Sequence, residues 1–348
     1  MTSVVVAAGG TGGHIYPGLA TADAMRALDP DVAITFVGTP RGLEQRLIPP
    51  AGYALELVDM VPWRGARRSP GFAAAVARAS RQAGKVLKRV GADAVVAMGG
   101  YPSLPTVLAA RRRGLPIVIH ESGATGGRAN RLAARLTPNV ALSFAAAAAS
   151  FPSRTPRVVG MPLFPENITG HRDAYRTAER MVFITGGSQG SVTLNELAVG
   201  LGERWRGRDD IRILLKTGRD HAVPESDLVK PHSYFESIGD VYASVDVVVS
   251  RAGASTVAEL ATCGLPSILV PYPFSLDDDQ GYNAKVLTDI GAAALVRDVE
   301  ATPGNVGAIL ESWFDDATTL PTMAAAARGA GHAGAATALA QWVLDLAR

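Results

Sequence analysis

Short apolar runs rich in β-branched residues alternate with helix-length segments along this chain. In the first half they fall at residues 4–7, 33–37, 94–97, 117–119, 139–142 and 157–159. Such alternation predicts the strands of a parallel sheet wound by helices. After Val159-Gly160-Met161-Pro162 the pattern restarts, with strands predicted at 181–185, 211–216, 245–249 and 267–270. The repetition predicts two α/β domains, residues 1–160 and 161–334, joined where Pro162 and Pro165 favour a stiff, extended connection. A last helix within 335–348 has apolar residues at helical spacing and no strand after it, which makes it a candidate to pack back on the first domain.

Three glycine-rich turns punctuate the pattern: Gly9-Gly10-Thr11-Gly12-Gly13-His14, Gly186-Gly187-Ser188-Gln189-Gly190 and Ser250-Arg251-Ala252-Gly253-Ala254-Ser255. Each follows an apolar run and precedes a helical pattern, so each aims free backbone N–H groups at a shared space, an arrangement that binds anions. The fold expected is therefore α/β, two Rossmann-like domains facing a cleft with a phosphorylated ligand between them. Two common nucleotide motifs do not fit. The third glycine of the dinucleotide fingerprint would fall at Ile15, the next strand ends in Gly38-Thr39 rather than an acidic residue, and no glycine-rich loop ends in Gly-Lys-Ser/Thr.

Composition narrows the classes. With 348 residues, 47% hydrophobic and 19% charged, the chain reads as globular and long enough for two cores. A net charge of +2 is too mild to imply nucleic acid. The single cysteine, Cys263, excludes an internal disulfide and a cysteine metal cluster, suits a reducing cytoplasm, and sits among apolar neighbours as a buried bystander. Met1-Thr2-Ser3 leads straight into a strand without the flank of a signal peptide, and the longest charge-free stretch, 136–153, is broken by Pro138, Asn139 and Pro152. The expected location is cytoplasmic, with any membrane contact peripheral.

His14 closes the first turn where a helix would begin. A helix N-terminus disfavours imidazolium, so this histidine is either a neutral general base for an acceptor hydroxyl or a polar residue satisfying the helix start. Thr256 and Glu259 have capping-box spacing, worth about 1 kcal/mol to a helix start; alternatively Glu259 accepts hydrogen bonds from ribose hydroxyls while the helix N-terminus faces a diphosphate. Asp277-Asp278-Asp279-Gln280 could hydrogen-bond sugar hydroxyls. Such a carboxylate cluster can also take magnesium, but helix N-termini already serve phosphate charge, so neither a metal nor a cofactor is expected.

Taken together, Gly9–His14 with Pro17-Gly18, Met98-Gly99-Gly100-Tyr101, His120-Glu121, Gly186–Gly190 with Asn195, Ser250–Glu259, Gly264-Leu265-Pro266 and Gln280 with Asn283-Ala284 resemble the MurG family nearly end to end. These are UDP-N-acetylglucosamine transferases of the two-domain GT-B fold that add the second sugar to the peptidoglycan lipid intermediate. The resemblance implies a metal-independent, inverting transfer from a UDP-sugar. By position, it implies that Ile238 contacts uracil, that Glu259 binds ribose, that Ser188, Gln189, Gly253, Ala254 and Ser255 line the diphosphate, and that Arg251 and Asn283 also belong to the donor site. It implies Gln280 and Asp279 at the donor sugar, with His14 as base and Gly12, Gly13, Tyr101, His120 and Glu121 on the acceptor side.

Three departures stand out. His120-Glu121-Ser122-Gly123 replaces the family's His-Glu-Gln-Asn, Met161-Pro162-Leu163-Phe164 replaces Asn-Pro-Val-Arg, and Asp279-Gln280 replaces paired glutamines. On these grounds a divergent member acting on a specialised-metabolite or phosphorylated glycoside acceptor is expected ahead of the housekeeping transferase acting on lipid I. The same architecture also suits a UDP-sugar 2-epimerase or a non-catalytic nucleotide-sugar binder. Between 61 and 92 lie Arg64, Arg67, Arg68, Arg78, Arg81, Lys85, Lys88 and Arg89 without an acidic residue. That segment is either a solvated helix face or a contact with an anionic membrane, worth about 1 kcal/mol per basic residue near the lipid.

Overall fold

The structure, a computed structural model, describes residues 1–60, 70–218 and 221–348. They form two compact units, one of residues 1–163 with 334–348 and one of residues 164–333. The first carries strands β1 (Ser3–Ala7), β2 (Ala33–Gly38), β3 (Ala54–Leu57), β4 (Ala94–Ala97), β5 (Ile117–Glu121), β6 (Asn139–Leu142) and β7 (Arg157–Val158). The second carries β8 (Arg180–Thr185), β9 (Ile211–Lys216), β10 (Val229–His232), β11 (Val247–Ser250), β12 (Ser267–Leu269) and β13 (Ala293–Leu295). Among the described residues every strand pairing is parallel. The two Rossmann-like α/β sheets expected from the sequence are thus observed.

The strand orders are β3-β2-β1-β4-β5-β6-β7 and β10-β9-β8-β11-β12-β13. In both, the chain reverses its direction of winding beside the first strand, between β1 and β4 and between β8 and β11. Ligands of open parallel sheets bind outside the carboxyl ends of the strands at such a switch point. All three glycine-rich turns lie at these ends: Gly9–His14 after β1, Gly186–Gly190 after β8 and Arg251–Ser255 after β11. A fourth turn, Gly99-Gly100-Tyr101, follows β4.

Continuous apolar strands are dictated by cover on both faces. Val4, Val5, Val6 and Ala7 of β1, and Val247, Val248 and Val249 of β11, are fully buried. The helix Gly12–Leu28 buries Ile15, Leu19, Ala22 and Met25, one stripe at helical spacing. Against it packs the C-terminal helix Ala335–Ala347, which buries Leu339, Ala340, Val343 and Leu344 and also reaches β1 and β4.

Three strands lie outside the runs that the sequence pattern predicts. Edge strand β3, Ala-Leu-Glu-Leu, has no buried residue. Edge strand β10 contains Pro231, a residue tolerated in a ladder only where one side is unpaired. The third, β13, is an alanine-rich trio at the opposite edge.

Candidate active site

In the first unit the turns after β1 and β4 touch each other. Thr11 is the N-cap of Gly12–Leu28, in extended conformation, yet its side chain caps no backbone group. Its Oγ1 instead lies 3.2 Å from His14 Nδ1. Gly12 and Gly13 open the helix beside it, and Gly13 is exposed. Across from the imidazole, Gly99 and Gly100 adopt φ of 93° and 76°, and a Cβ on either would stand 3.1 and 3.3 Å from His14 ring atoms. Glycine is required there by both conformation and space. Burial pushes His14 down to about 4, so its imidazole is neutral at pH 7. In the tautomer whose Nδ1 proton points to Thr11 Oγ1, Nε2 carries the lone pair, the form a base needs. Tyr101 is half-buried in the β4 turn, its hydroxyl 3.5 Å from Thr39 Oγ1.

His120 and Glu121, at the end of β5, serve the unit's interior. His120 is fully buried; its Nε2 donates to the Gly160 carbonyl at 3.1 Å, and the Ser122 hydroxyl lies 3.5 Å from Nδ1. Burial outweighs the Gly160 bond and pushes this imidazole down to about 4. Glu121 accepts from Gly123 N at 3.0 Å, Gly127 N at 2.8 Å and Asn130 Nδ2 at 2.9 Å, while burial raises its carboxyl against those bonds. Asn130 also donates to His120 O and lies against Gly99, so the β5 end supports the β4 turn.

The second unit presents backbone. Its β8 turn exposes Ser188 and Gln189, and it lies so close to the turn after β9 that a Cβ on Gly190 or Gly218 would overlap the opposing main chain. Ser191 then caps the helix Val192–Arg204, accepting from Leu194 N at 3.4 Å. The helix Ala254–Cys263 starts from an N-cap at Gly253, with no side-chain cap, so the N–H groups of Ala254 and Ser255 lack intrahelical partners. The capping-box interpretation of Thr256 and Glu259 is therefore excluded: Thr256 lies in the third helical position, because glycine, not threonine, makes the entry.

Glu259 sits one turn further on, half-buried, and accepts from the Tyr242 hydroxyl at 2.9 Å. Burial pushes its carboxyl up to about 7, opposed by Tyr242 and by the charge of Lys216 at the end of β9. Ile238 opens the helix Ile238–Ser244 behind an N-cap at Ser237.

Several residues expected at the donor hold the loops that would meet it. Arg251 is spent on Asp298, on Ser191 Oγ at 2.8 Å and on the carbonyls of Val270 and Pro271. Gln280 Oε1 accepts from Ala252 N at 3.2 Å and Tyr272 N at 2.9 Å, and Asn283 Nδ2 donates to Ala252 O at 3.2 Å. Together they clamp the peptide that precedes Gly253. Asp279 is exposed at the head of its helix, after Asp277 and Asp278 in left-handed backbone.

Sequence reasoning missed Glu44, Thr39, Asn130, Tyr242 and Lys216. Glu44 is fully buried against the first glycine turn, and the only hint of it was an acidic residue following Gly38 and Gly42. Of the basic segment, Arg64, Arg67 and Arg68 lie outside the described residues. Arg78, Arg81, Lys85, Lys88 and Arg89 are carried by the helix Pro70–Arg89, which buries Ala79, Ala83, Val86 and Leu87. Among the described residues no helix is long and apolar enough to cross a membrane.

The glycosyltransferase family 28 N-terminal domain matches residues 4–142, and its C-terminal domain matches 181–339. A protein of Saccharopolyspora erythraea is 40% identical over 99% of this chain and 94% of its own length; one of Mycobacterium leprae is 39% identical over 99% and 89%. Both carry the name UDP-N-acetylglucosamine–N-acetylmuramyl-(pentapeptide) pyrophosphoryl-undecaprenol N-acetylglucosamine transferase. The crystal structure of Acinetobacter baumannii MurG superposes with a TM-score of 0.82 at 27% identity, covering 99% of this chain and all of that one.

These relatives overturn the expectation of a specialised-metabolite acceptor, which rested on the departures from the family pattern. The structure supplies the physical reason for two of them. Gly123 N–H is spent on Glu121, Ser122 faces His120, and Met161 and Leu163 are buried, with Ser143 Oγ 3.7 Å from Met161 Sδ. Ser122, Met161 and Leu163 are thus packed into the interior of the first unit. With both family domains matched in order and near-full-length relatives at 39–40% identity, the chain belongs to the MurG family of glycosyltransferases.

Proposed function

We propose that this enzyme transfers N-acetylglucosamine from UDP-N-acetylglucosamine to the muramyl sugar of an undecaprenyl-diphosphate-linked acceptor. The observation that carries the reading is the near-full-length identity to relatives bearing that activity in their names, joined to glycine turns at both sheet switch points. In this reading the second unit binds the donor. The free N–H groups of Ala254 and Ser255 and the turn at Ser188 and Gln189 face the diphosphate, Glu259 takes the ribose hydroxyls, and Ile238 meets uracil through its backbone. Arg251, Gln280 and Asn283 keep those loops in place, and Asp279 faces the sugar.

The first unit binds the acceptor and supplies the base. His14 Nε2 removes the proton from the attacking hydroxyl as the anomeric bond to UDP breaks, and the glycines at 12, 13, 99 and 100 let the acceptor approach the backbone. Tyr101 contacts the acceptor, while His120 and Glu121 shape its surface from beneath. The enzyme works at the cytoplasmic face of the membrane, the cations of Pro70–Arg89 meeting anionic lipid.

The test is a product assay with radiolabelled UDP-N-acetylglucosamine and three acceptor conditions: the lipid-linked muramyl pentapeptide, a soluble glycoside, and none. Disaccharide-lipid and UDP are expected only in the first. Epimerised donor without acceptor, or transfer to the soluble glycoside alone, would reject the reading.

A further inference from the structure

We propose that Glu44 is a positioning residue that holds the His14 turn and Tyr101 in one working arrangement through a single carboxyl oxygen. The inference rests on the reading of His14 as the base. Glu44 is fully buried, and its Oε1 accepts three hydrogen bonds: from Gly10 N at 3.1 Å, from Thr39 N at 3.0 Å and from Thr39 Oγ1 at 3.0 Å. The first fixes the Gly9–Gly10 peptide, one residue ahead of Thr11, whose hydroxyl lies against the His14 ring. The third commits the Thr39 proton to Glu44. The Tyr101 hydroxyl of the other turn stands 3.5 Å from the same Thr39 Oγ1, which is left to accept from it.

Two further observations separate this role from simple packing. Oε2 has no hydrogen-bond partner among the described residues, a costly condition for a buried polar atom that an apolar side chain of the same size would avoid. The surrounding chain is also cut to fit the group: a Cβ on Gly9, Gly38 or Gly42 would overlap Glu44. A residue kept at that cost, with glycines on three sides, is retained for what Oε1 holds.

The test compares Glu44→Met, which keeps volume and removes the acceptor, with Glu44→Gln, whose amide oxygen can still accept all three bonds. Thr39→Val, which cuts only the hydroxyl link, is the milder partner. For Glu44→Met, kcat with the lipid-linked acceptor is expected to fall by about 30- to 100-fold, as for a displaced catalytic group. UDP affinity by calorimetry should stay unchanged, and Glu44→Gln should remain within about 3-fold of the parent, the loss of a single weak interaction. Thr39→Val should lose about 5-fold in kcat on the same scale. A second readout does not need turnover: the His14 imidazole resonances, assigned with His14→Ala, should move in Glu44→Met and stay in place in Glu44→Gln. Parent-like turnover in Glu44→Met overturns the proposal. Should that variant fail to fold, parent-like turnover in Thr39→Val overturns it instead. An unmoved His14 resonance in folded Glu44→Met does so as well. A parent enzyme that makes no disaccharide rejects the functional reading and leaves the resonance experiment to decide the role of Glu44.

Discussion

The two units share one topology and furnish it differently. Both place glycine turns at the carboxyl ends of the strands that flank a switch point. In the first, those turns meet side chains: His14 against Gly99 and Gly100, Tyr101 against Thr39, Glu44 beneath Gly10. In the second they present main chain, and the side chains of Arg251 and Gln280 hold loops in place. Burial acts on charged groups in both: it depresses His14 and His120 and raises Glu121 in the first unit, and raises Glu259 in the second. In the function proposed above, one frame serves proton chemistry or anion binding according to whether its turns are lined by side chains or left as bare N–H groups.

The contrast breaks most sharply at His14. Replacing it with alanine is expected to lower kcat by about 10²- to 10⁴-fold, the usual worth of a general base, with UDP affinity intact. Steady-state kinetics with parallel calorimetry checks it, and unchanged turnover would move the base elsewhere. The converse variant, Glu259→Ala, is expected to weaken UDP binding by about 10- to 100-fold, the range for hydrogen bonds to a charged acceptor. Equal affinity would leave Glu259 no part in donor binding.

The elevated Glu259 carboxyl sharpens the comparison through pH. Its ionised fraction grows as pH rises through about 7, so UDP affinity should rise between about pH 6 and 8. The Tyr242 bond holds the carboxyl down, so Tyr242→Phe should move that inflection to higher pH; a titration of affinity against pH in both proteins decides it. The smallest effect concerns stability. For His120 the folded value of about 4 lies below the unfolded 6.5, so the unfolded chain binds the extra proton and stability is lost as pH falls from 6.5 towards 4. Urea midpoints across that window should slope less in His120→Gln than in the parent.

Much of this frame could be read from the sequence because buried parallel strands need continuous apolar runs, and glycine turns stand out between them. Edge strands β3 and β10 escaped because one unpaired side tolerates a charged residue or Pro231. The donor-side turns were visible, but the work of Gln280 and Asn283 was not, since both act on the peptide of Ala252, about 30 residues earlier in the chain, a distance no local spacing encodes. Thr256 shows the reverse error: its spacing to Glu259 imitates a capping box, while the backbone enters the helix at Gly253. Glu44 was hidden for a third reason, since a lone glutamate acquires meaning only once three glycines from two loops fold around it.

The division between the units is tested most directly by amide hydrogen exchange of the whole enzyme with and without UDP. Protection is expected at residues 186–190, 238–240 and 252–257, with 9–14 and 99–101 unchanged. Protection confined to the turns around His14 and Tyr101 would contradict it.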